Sequence, residues 1–469
     1  MKKRIAALLL CLALFLTLAS GCAGEPNLQA QDLTKTISAR DVDTTGALSD
    51  TTTQAATDFC VELFQESCLT GDNALLSPAS VLYAMAMAAN GAQGDTLTQM
   101  EAAFGMSIQD LDQYLAAFQE AIPRKSGVSI ANSLWLRDTE DLTVEESFLQ
   151  TNADYFDPDI YLAPFDGTTV SDINRWVDAR TDGMIPHLAD QLSESTVICL
   201  INALTFEQKW EEVYEKDQVR PGTFTLEDGT ERTVELMYSE EAYFLEDEDT
   251  LGFLKYYQGR DYAFVALLPE EGMPLAEYAA SLTGEKLCRM LRNIQEGIVS
   301  AALPKFQMED TLSLAAPLAS MGITDAFDPG LADFSALGSC GSGPLYISEV
   351  LHKTFLSVDE QKTKAAAATL VAMDAGAATA NTVTANTATA DGASADGARS
   401  AETPEYGLKI IREARIEMQT ENYSEDMAAL EELVTSLGGF ITSREEWGSE
   451  QSAETGENPR TLSLTLRIP

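Results

Sequence analysis

The stretch Leu345–Ala378, LYISEVLHKTFLSVDEQKTKAAAATLVAMDAGAA, carries the strongest structural signal in the chain. Its first half predicts a β-strand, because apolar side chains such as Ile347 and Val358 recur at mostly even spacing in a polar background. From residue 363 to residue 369, every side chain except Lys364 is Ala or Thr. The second half therefore changes character and allows two interpretations.

The plain interpretation of residues 363–369 is the end of an Ala-rich helix or a flexible linker, since alanine is the best helix former. The alternative is a strand. The two-residue period of a strand puts six side chains on one face: Thr363, Ala365, Ala367, Thr369, Val371 and Met373. Along this face the small side chains come first and the larger ones later. Such a face could enter between two existing strands without collision, while Lys362 and Lys364 on the other face stay in water.

Residues 352–369, HKTFLSVDEQKTKAAAAT, resemble the hinge before the reactive-centre loop of serpins, a family of protease inhibitors. The family pattern is roughly His-Lys-x-x-x-x-Val-x-Glu-x-Gly-Thr-x-Ala-Ala-Ala-x-Thr. Lys362 stands where the family has glycine, so we expect a stiffer hinge and slower insertion. The hinge that the resemblance implies consists of Glu360, Lys362, Thr363, Ala365, Ala366, Ala367, Ala368 and Thr369.

Other segments resemble the same family in the same order along the chain. Asn73 to Pro78 opens a helix that is apolar nearly all round and so should be buried. ANSLWL at 131–136 and INALTFEQKW at 201–210 predict strands. The resemblance covers about three hundred residues. It implies a serpin-like α+β domain over residues 57–376, with several helices around large, mostly antiparallel sheets.

The resemblance implies inhibition by a mechanical trap. A serine-type, or alternatively cysteine-type, endopeptidase attacks an exposed loop, and the cut loop then enters the sheet as a new strand that carries the protease along. Counting sixteen residues beyond Glu360 places the scissile bond at Gly376–Ala377. Both residues are small, which favours an elastase-like protease. Leu370 or Met373 would suit another protease.

The N-terminus resembles a bacterial lipoprotein signal. A basic start, residues 2–4, precedes an apolar run at 5–18 that is too short for a comfortable membrane span. Small residues then lead to Cys22, although Ala19 stands where that family prefers Leu. Lipidation of Cys22 would end the signal at residues 1–22 and anchor the exported protein to the outer face of a membrane, with residues 23–56 as a tether. The alternative is ordinary secretory cleavage with Cys22 incidental.

Composition argues against several classes of function. The chain has 469 residues and a formal charge of −44, with 30 Lys and Arg against 74 Asp and Glu, so nucleic acid is an improbable partner. The two histidines, His187 and His352, are not paired with a nucleophile in any local motif. Without a CxxC pair, an HExxH motif or a phosphate-binding Gly-rich loop, we expect no enzyme activity, metal or other cofactor.

The cysteines do not predict a disulfide framework. Cys60 and Cys68 lie eight residues apart in a predicted helix, about 12 Å along its axis, which is too far for a bond. Cys199, Cys288 and Cys340 are scattered among apolar neighbours. We therefore expect buried free thiols.

Beyond the reactive loop the family pattern stops. Residues 377–404 are rich in Ala, Thr, Asn, Gly and Asp and predict a linker in place of the family's closing strands. Residues 405–469 predict a small, incomplete α/β unit with a strand at 408–418, a helix over 423–437 and strands from 440 and over 461–468. This unit resembles the start of an uncharacterised bacterial lipoprotein domain. The alternative function is thus a non-inhibitory surface lipoprotein that uses a degenerate serpin domain for binding or structure.

Overall fold

The computed structural model describes residues 26–67, 73–123, 127–226, 229–376, 412–420, 440–447 and 460–468. The chain divides into two units, residues 1–380 and 381–469. The described part of the first unit contains nine α-helices: α1 (Asp50–Ser67), α2 (Pro78–Ala89), α3 (Gly94–Phe104), α4 (Ile108–Ala121), α5 (Glu146–Phe156), α6 (Gly167–Arg180), α7 (Leu275–Ser281), α8 (Gly284–Arg292) and α9 (Ala315–Ser320).

Fourteen strands complete the described part of the first unit. They are β1 (Gln31–Asp32), β2 (Val128–Arg137), β3 (Leu142–Val144), β4 (Asp159–Ala163), β5 (Thr196–Lys209), β6 (Val219–Thr225), β7 (Glu231–Asp247), β8 (Thr250–Tyr256), β9 (Ala263–Pro269), β10 (Gln295–Pro304), β11 (Phe306–Ser313), β12 (Gly338–Cys340), β13 (Leu345–Val358) and β14 (Lys362–Ala375). The predicted strands at 131–136 and 201–210 correspond to β2 and to β5.

The central sheet has seven strands in the order β1-β4-β2-β5-β14-β13-β11. Its neighbours are antiparallel except for the parallel pair β2 and β4. Residues 196–203 of β5 are all buried, as expected for a continuous apolar run in the middle of a sheet that is covered on both faces. The strand β14 lies beside β5, so the last described strand of the unit along the chain occupies the centre of the sheet.

Two apolar layers cover the central sheet. On one face lies α2, whose residues 80–89 are all buried, because its sequence is apolar nearly all round. On the other face, Trp176 of α6 joins a cluster with Trp135 and Tyr161, whose rings are 4.4 Å apart. The alternating residues of β5 divide between these layers, with Leu200 in the first and Ile201 in the second.

A second sheet has the order β10-β7-β8-β9, with β6 also paired to β7. It meets the end of β5 at Trp210, a fully buried residue whose ring stacks on Tyr257 at 4.6 Å. Trp210 therefore packs as the large anchor that the sequence indicates.

The first unit begins earlier than the sequence predicts. The helix α1 starts at Asp50, and upstream residues already contact the domain: β1 pairs with β4, the Arg40 guanidinium lies 2.6 Å from Asp154, and the amide of Gln29 donates to Asp172. The prediction of a free tether over residues 23–56 therefore does not hold from Gln29 onward. The polar composition that favoured a tether supplies hydrogen-bonding partners for the domain surface.

The second unit is described only by three strands, β15 (Arg412–Thr420), β16 (Phe440–Trp447) and β17 (Arg460–Ile468). They form an antiparallel sheet in the order β15-β17-β16, as the alternating sequence pattern predicts. The predicted helix over 423–437 and the linker over 377–404 lie outside the described residues. Within the described ranges, no helix is both long and apolar enough to span a bilayer.

Substitution of Gly91 tests the contact between the C-terminal end of α2 and the loop before β12. A Cβ at Gly91 would lie 2.4 Å from the Cβ of Leu337, a fully buried residue. Gly91→Ala should therefore lower the free energy of unfolding by about 1–3 kcal/mol. Gly167→Ala is the matched control, since a Cβ there meets nothing within 4 Å. Urea unfolding of both variants measures the difference, and equal stabilities would contradict this packing.

Candidate functional site: the inserted strand

The Ala- and Thr-rich segment is a strand, which confirms the strand interpretation over the helix or linker. The fourteen residues of β14 pair with β13 on one side and with β5 on the other. Its odd-numbered residues Val371 and Met373 face the layer of α2, while its even-numbered residues Ala366 and Ala368 face the layer of α6. The two-residue period read from the sequence is the one the structure uses.

The segment lies inside the sheet in an uncut chain. The resemblance implies that such a loop stays outside the sheet until a protease cuts it, so the structure differs from that expectation. The physical reason is that insertion gives both edges of the segment a hydrogen-bonded neighbour and buries its small side chains completely: Ala366, Ala367 and Ala368 are 3%, 1% and 0% exposed.

A short turn connects β13 to β14 and is fixed at several points. The Asp359 carboxylate accepts hydrogen bonds from the amides of Gln361 and Lys362, at 2.8 and 2.9 Å. The indole Nε1 of Trp210 donates to the carbonyl oxygen of Asp359 at 2.8 Å, and Lys305 pairs with Glu360 at 2.7 Å. This turn holds the implied hinge residues Glu360 and Lys362 against the end of β5.

Lys362 and Lys364 do not remain in free solution. Both contact Glu207 of β5, with N–O distances of 2.5 Å and 3.5 Å. The hydrogen bond from Lys362 lowers the pKa of Glu207, and the same bond raises the pKa of Lys362. The residue that replaces the family glycine thus gains an ion pair when the strand is in place.

Thr363 and Thr369 provide the polar groups of the face toward α2. The hydroxyl of Thr363 accepts a hydrogen bond of 2.8 Å from Tyr257, beneath the hinge. Thr369 lies deeper, fully buried, within hydrogen-bond distance of Ser80 at 3.0 Å and of His352 at 2.8 Å. Ala365 and Ala367 are the small residues between them, so this face combines small volume with satisfied hydroxyls.

The hydrogen bonds around Thr369 form a chain with a defined direction. The amide of Ser77 donates to Nε2 of His352 at 3.0 Å, so this nitrogen accepts and Nδ1 carries the proton of the neutral ring. His352 then donates to Thr369, and Thr369 to Ser80. Ser80 donates to Asn202 of β5 at 2.5 Å. Thr369 is the link that only the inserted strand supplies.

The far end of the strand is polar as well. Asp374 is 4% exposed, and its carboxylate accepts hydrogen bonds from three hydroxyl groups. Gly376 is the last described residue of this segment, and its amide donates to the carbonyl oxygen of Pro344 at 3.3 Å. Ala377, the other half of the predicted scissile bond, lies outside the described residues, as does Cys22.

Sequence reasoning found the strand but missed most of its partners. Glu207, Ser80 and Asn202 are distant in sequence from the segment and belong to other elements. Asp374 is the exception, because the sequence shows it as the one charged residue in the predicted bait after Lys364 and so marks it as a candidate for a specific contact.

The remaining predictions from single residues have mixed outcomes. The thiols of Cys60, Cys199, Cys288 and Cys340 are free, with Cys199 and Cys288 buried and the other two partly so. Cys68 lies outside the described residues. His187 bonds Asp190 at the surface at 2.7 Å. In the described ranges, no three His, Cys, Asp or Glu side chains are grouped to hold a metal ion.

Comparison with known families agrees with this architecture. A family model described as Serpin (serine protease inhibitor) matches residues 54–388. A second model, described as a domain of unknown function (DUF4349), matches residues 408–469. The first unit thus has the fold of a serpin domain, an α+β arrangement with a strand inserted between β5 and β13. A separate uncharacterised unit follows it along the chain.

Individual relatives support the same assignment. Leukocyte elastase inhibitor of Equus caballus is 31% identical over 338 residues, which cover 67% of this chain and 87% of that protein. Serpin I2 of Homo sapiens is 29% identical over 333 residues, covering 67% of this chain and 81% of that protein.

Among solved structures, the thermophilic serpin tengpin is similar in two states. The native state has a TM-score of 0.68 at 41% identity, covering 78% of this chain and 92% of tengpin, and the latent state has 0.66 at 44%, covering 71% and 90%. The chain belongs to the serpin family, and the prediction of an α+β serpin fold is confirmed.

The environment of His352 predicts a dependence of stability on pH. Burial lowers the pKa of His352 from 6.5 to about 3. Because the folded ring binds its proton less readily than the unfolded one, the associated stability is present above pH 6.5 and is lost as the pH falls toward 3. The loss amounts to at most about 5 kcal/mol.

Urea unfolding of the wild type and of His352→Gln between pH 7 and pH 4 measures this contribution. The variant should be less stable at pH 7 and should lack most of the acid-induced loss. His187→Gln, a surface control, should retain that loss. Parallel curves for the wild type and His352→Gln would contradict the neutral, buried assignment.

Proposed function

We propose that this protein inhibits serine endopeptidases by presenting residues around 370–380 as bait and inserting the cut loop as β14. The observation that carries the proposal is the fit of β14, which pairs with both β13 and β5 from residue 363 to residue 374. Relatives named leukocyte elastase inhibitor support an elastase-like target. A bait ending at Gly376 suits a protease with a small, apolar specificity pocket, and Gly376–Ala377 remains the proposed scissile bond.

In the structure β14 already occupies the position that this reaction gives it after the cut, although the chain is uncut. Before attack the bait is outside the sheet, so the freshly folded chain lacks the contacts of β14. The protease serine forms an acyl-enzyme with the bait, and insertion then carries the protease to the far end of the sheet before hydrolysis is complete. The small, buried side chains of Thr363 and Ala366–Ala368 keep the path into the sheet open. Inhibition by this route requires no cofactor.

We also propose that the protein is exported and lipid-anchored through Cys22 at the outer face of a bacterial membrane. The basic start, the apolar run and the small residues before Cys22 support this location. The strongly acidic composition suits a solvated surface protein and disfavours a nucleic-acid partner. The proteases that it meets are then those outside the cell.

One observation favours a non-inhibitory surface protein as the second candidate. The chain is uncut, yet β14 is already inserted and Lys362 is paired with Glu207. A protein that folds directly into this state offers no bait, and its serpin domain then serves binding or structure. The two candidates differ in one respect, which is whether a protease is trapped.

Incubation with pancreatic elastase, followed by SDS gels and intact-mass analysis, separates the candidates. The wild type should form an SDS-stable complex with a cut between residues 370 and 380. Ala368→Leu should be cut at the same bond without forming a complex, because Ala368 is fully buried and the extra carbons would overpack the layer of α6.

Ala276→Leu, at an exposed position of α7, is the matched control and should behave as the wild type. If the wild type is cleaved cleanly without a complex, the inhibitor proposal fails and the binding role is favoured. A cut outside residues 370–380 would refute the placement of the bait.

A further inference from the structure

Asp374 is buried near the end of β14 and is held by a defined set of hydroxyl groups. Ser195 donates to Oδ2 at 2.6 Å, Thr196 donates to Oδ1 at 2.8 Å, and Ser348 donates to Oδ1 at 2.7 Å. A buried carboxylate is costly unless its oxygens are hydrogen-bonded. Hydrogen bonds to a charged acceptor are among the stronger ones in proteins.

The three hydroxyls come from both sides of the inserted strand. Ser195 directly precedes β5, Thr196 is its first residue, and Ser348 belongs to β13. The site is therefore complete only when β14 lies between these two strands, and its ligand is a side chain of the inserted segment itself.

Strand irregularities on both sides converge at this point. The pairing of β13 with β14 shifts between Ile347 and Glu349, which leaves Ser348 as the extra residue. The pairing of β14 with β5 shifts between Met373 and Asp374. A β-bulge redirects side chains locally. Here two such shifts, on independent strands, bring hydroxyls to one carboxylate, which indicates a built site.

We propose that Ser195, Thr196 and Ser348 form a carboxylate receptacle that positions the end of the inserted strand and thereby determines how completely a protease is trapped. This inference rests on the proposed inhibitory function. The receptacle recognises Asp374 only in the inserted position, so in the proposed inhibitory reaction it acts at the insertion step that follows the cut. Its three hydroxyl residues are positioning residues and not part of the sequence that the protease reads.

The chemistry of release explains why the last residues matter. In the acyl-enzyme, an ester joins the Gly376 carbonyl carbon to the protease serine oxygen. Release requires water to add to that carbon, the ester C–O bond to break and the serine oxygen to recover a proton, which leaves a carboxylic acid at Gly376. Asp374 lies two residues before this ester. When Asp374 is bound by the three hydroxyls, the end of β14 holds the protease against the domain. When the end of β14 detaches from the sheet, the protease regains its active geometry and completes hydrolysis.

The test uses the full chain with Ser348→Ala, which alters the receptacle but leaves the bait sequence intact. With pancreatic elastase, the rate of bait cleavage should stay within about twofold of the wild type. The ratio of released, cleaved inhibitor to trapped complex should rise about tenfold, since one hydrogen bond to a charged group is lost. Ser357→Ala, on the same strand but at the hinge end, is the control and should leave both values unchanged.

Amide hydrogen exchange of the uncut, inserted chain provides a readout that needs no protease. Ser348→Ala should speed exchange at residues 372–375 about tenfold and leave residues 365–368 unchanged, because only the strand end loses its anchor. An unchanged partition and unchanged exchange at 372–375 would overturn the receptacle. If the wild type traps no protease but the exchange difference appears, the inhibitor proposal fails while the receptacle stands as an anchor of the strand.

Discussion

The structure depends on the space between β5 and β13 and on the kind of strand that can occupy it. That space is closed on one face by the apolar layer that contains α2 and on the other by the apolar layer that contains Trp176 of α6. A strand enters only if its side chains are small in the middle and if both of its edges find hydrogen-bonding partners. The run from Ala365 to Ala368 meets the first condition, and its pairing on both sides meets the second.

Polar contacts at three levels then fix the register of the inserted strand. At the hinge, Glu207 pairs with Lys362 and Lys364. In the middle, Thr369 links His352 to Ser80 of α2, which bonds Asn202 of β5. At the far end, Asp374 is held by hydroxyls. A one-residue slip of β14 would turn every side chain to the opposite face of the sheet and would break the contacts at all three levels. The small alanines therefore allow the strand to enter, and the polar residues fix its register.

The sequence predicts the strand, its face and its family because these depend on local periodicity and on motifs within a few residues. It does not predict Glu207 as the partner of Lys362, because the two residues are brought together only by the sheet. Lys362 in place of glycine predicts a stiffer hinge, while the structure adds an ion pair with Glu207 that stabilises the inserted state. The fold of residues 28–49 was missed for a related reason, since Arg40 finds Asp154 only after the domain has formed.

The proposed inhibition requires that the segment 363–375 begins outside the sheet and that cutting the bait lets it enter. Hydrogen exchange on freshly folded protein, before and after cleavage by elastase, tests it most directly. The account predicts fast exchange at Ala365–Val371 before the cut and protection increased by at least about a thousandfold afterwards, as for a central strand that exchanges only by large-scale opening. Full protection before the cut, unchanged by it, would mean that the strand is in place from the start and that the protein offers no bait.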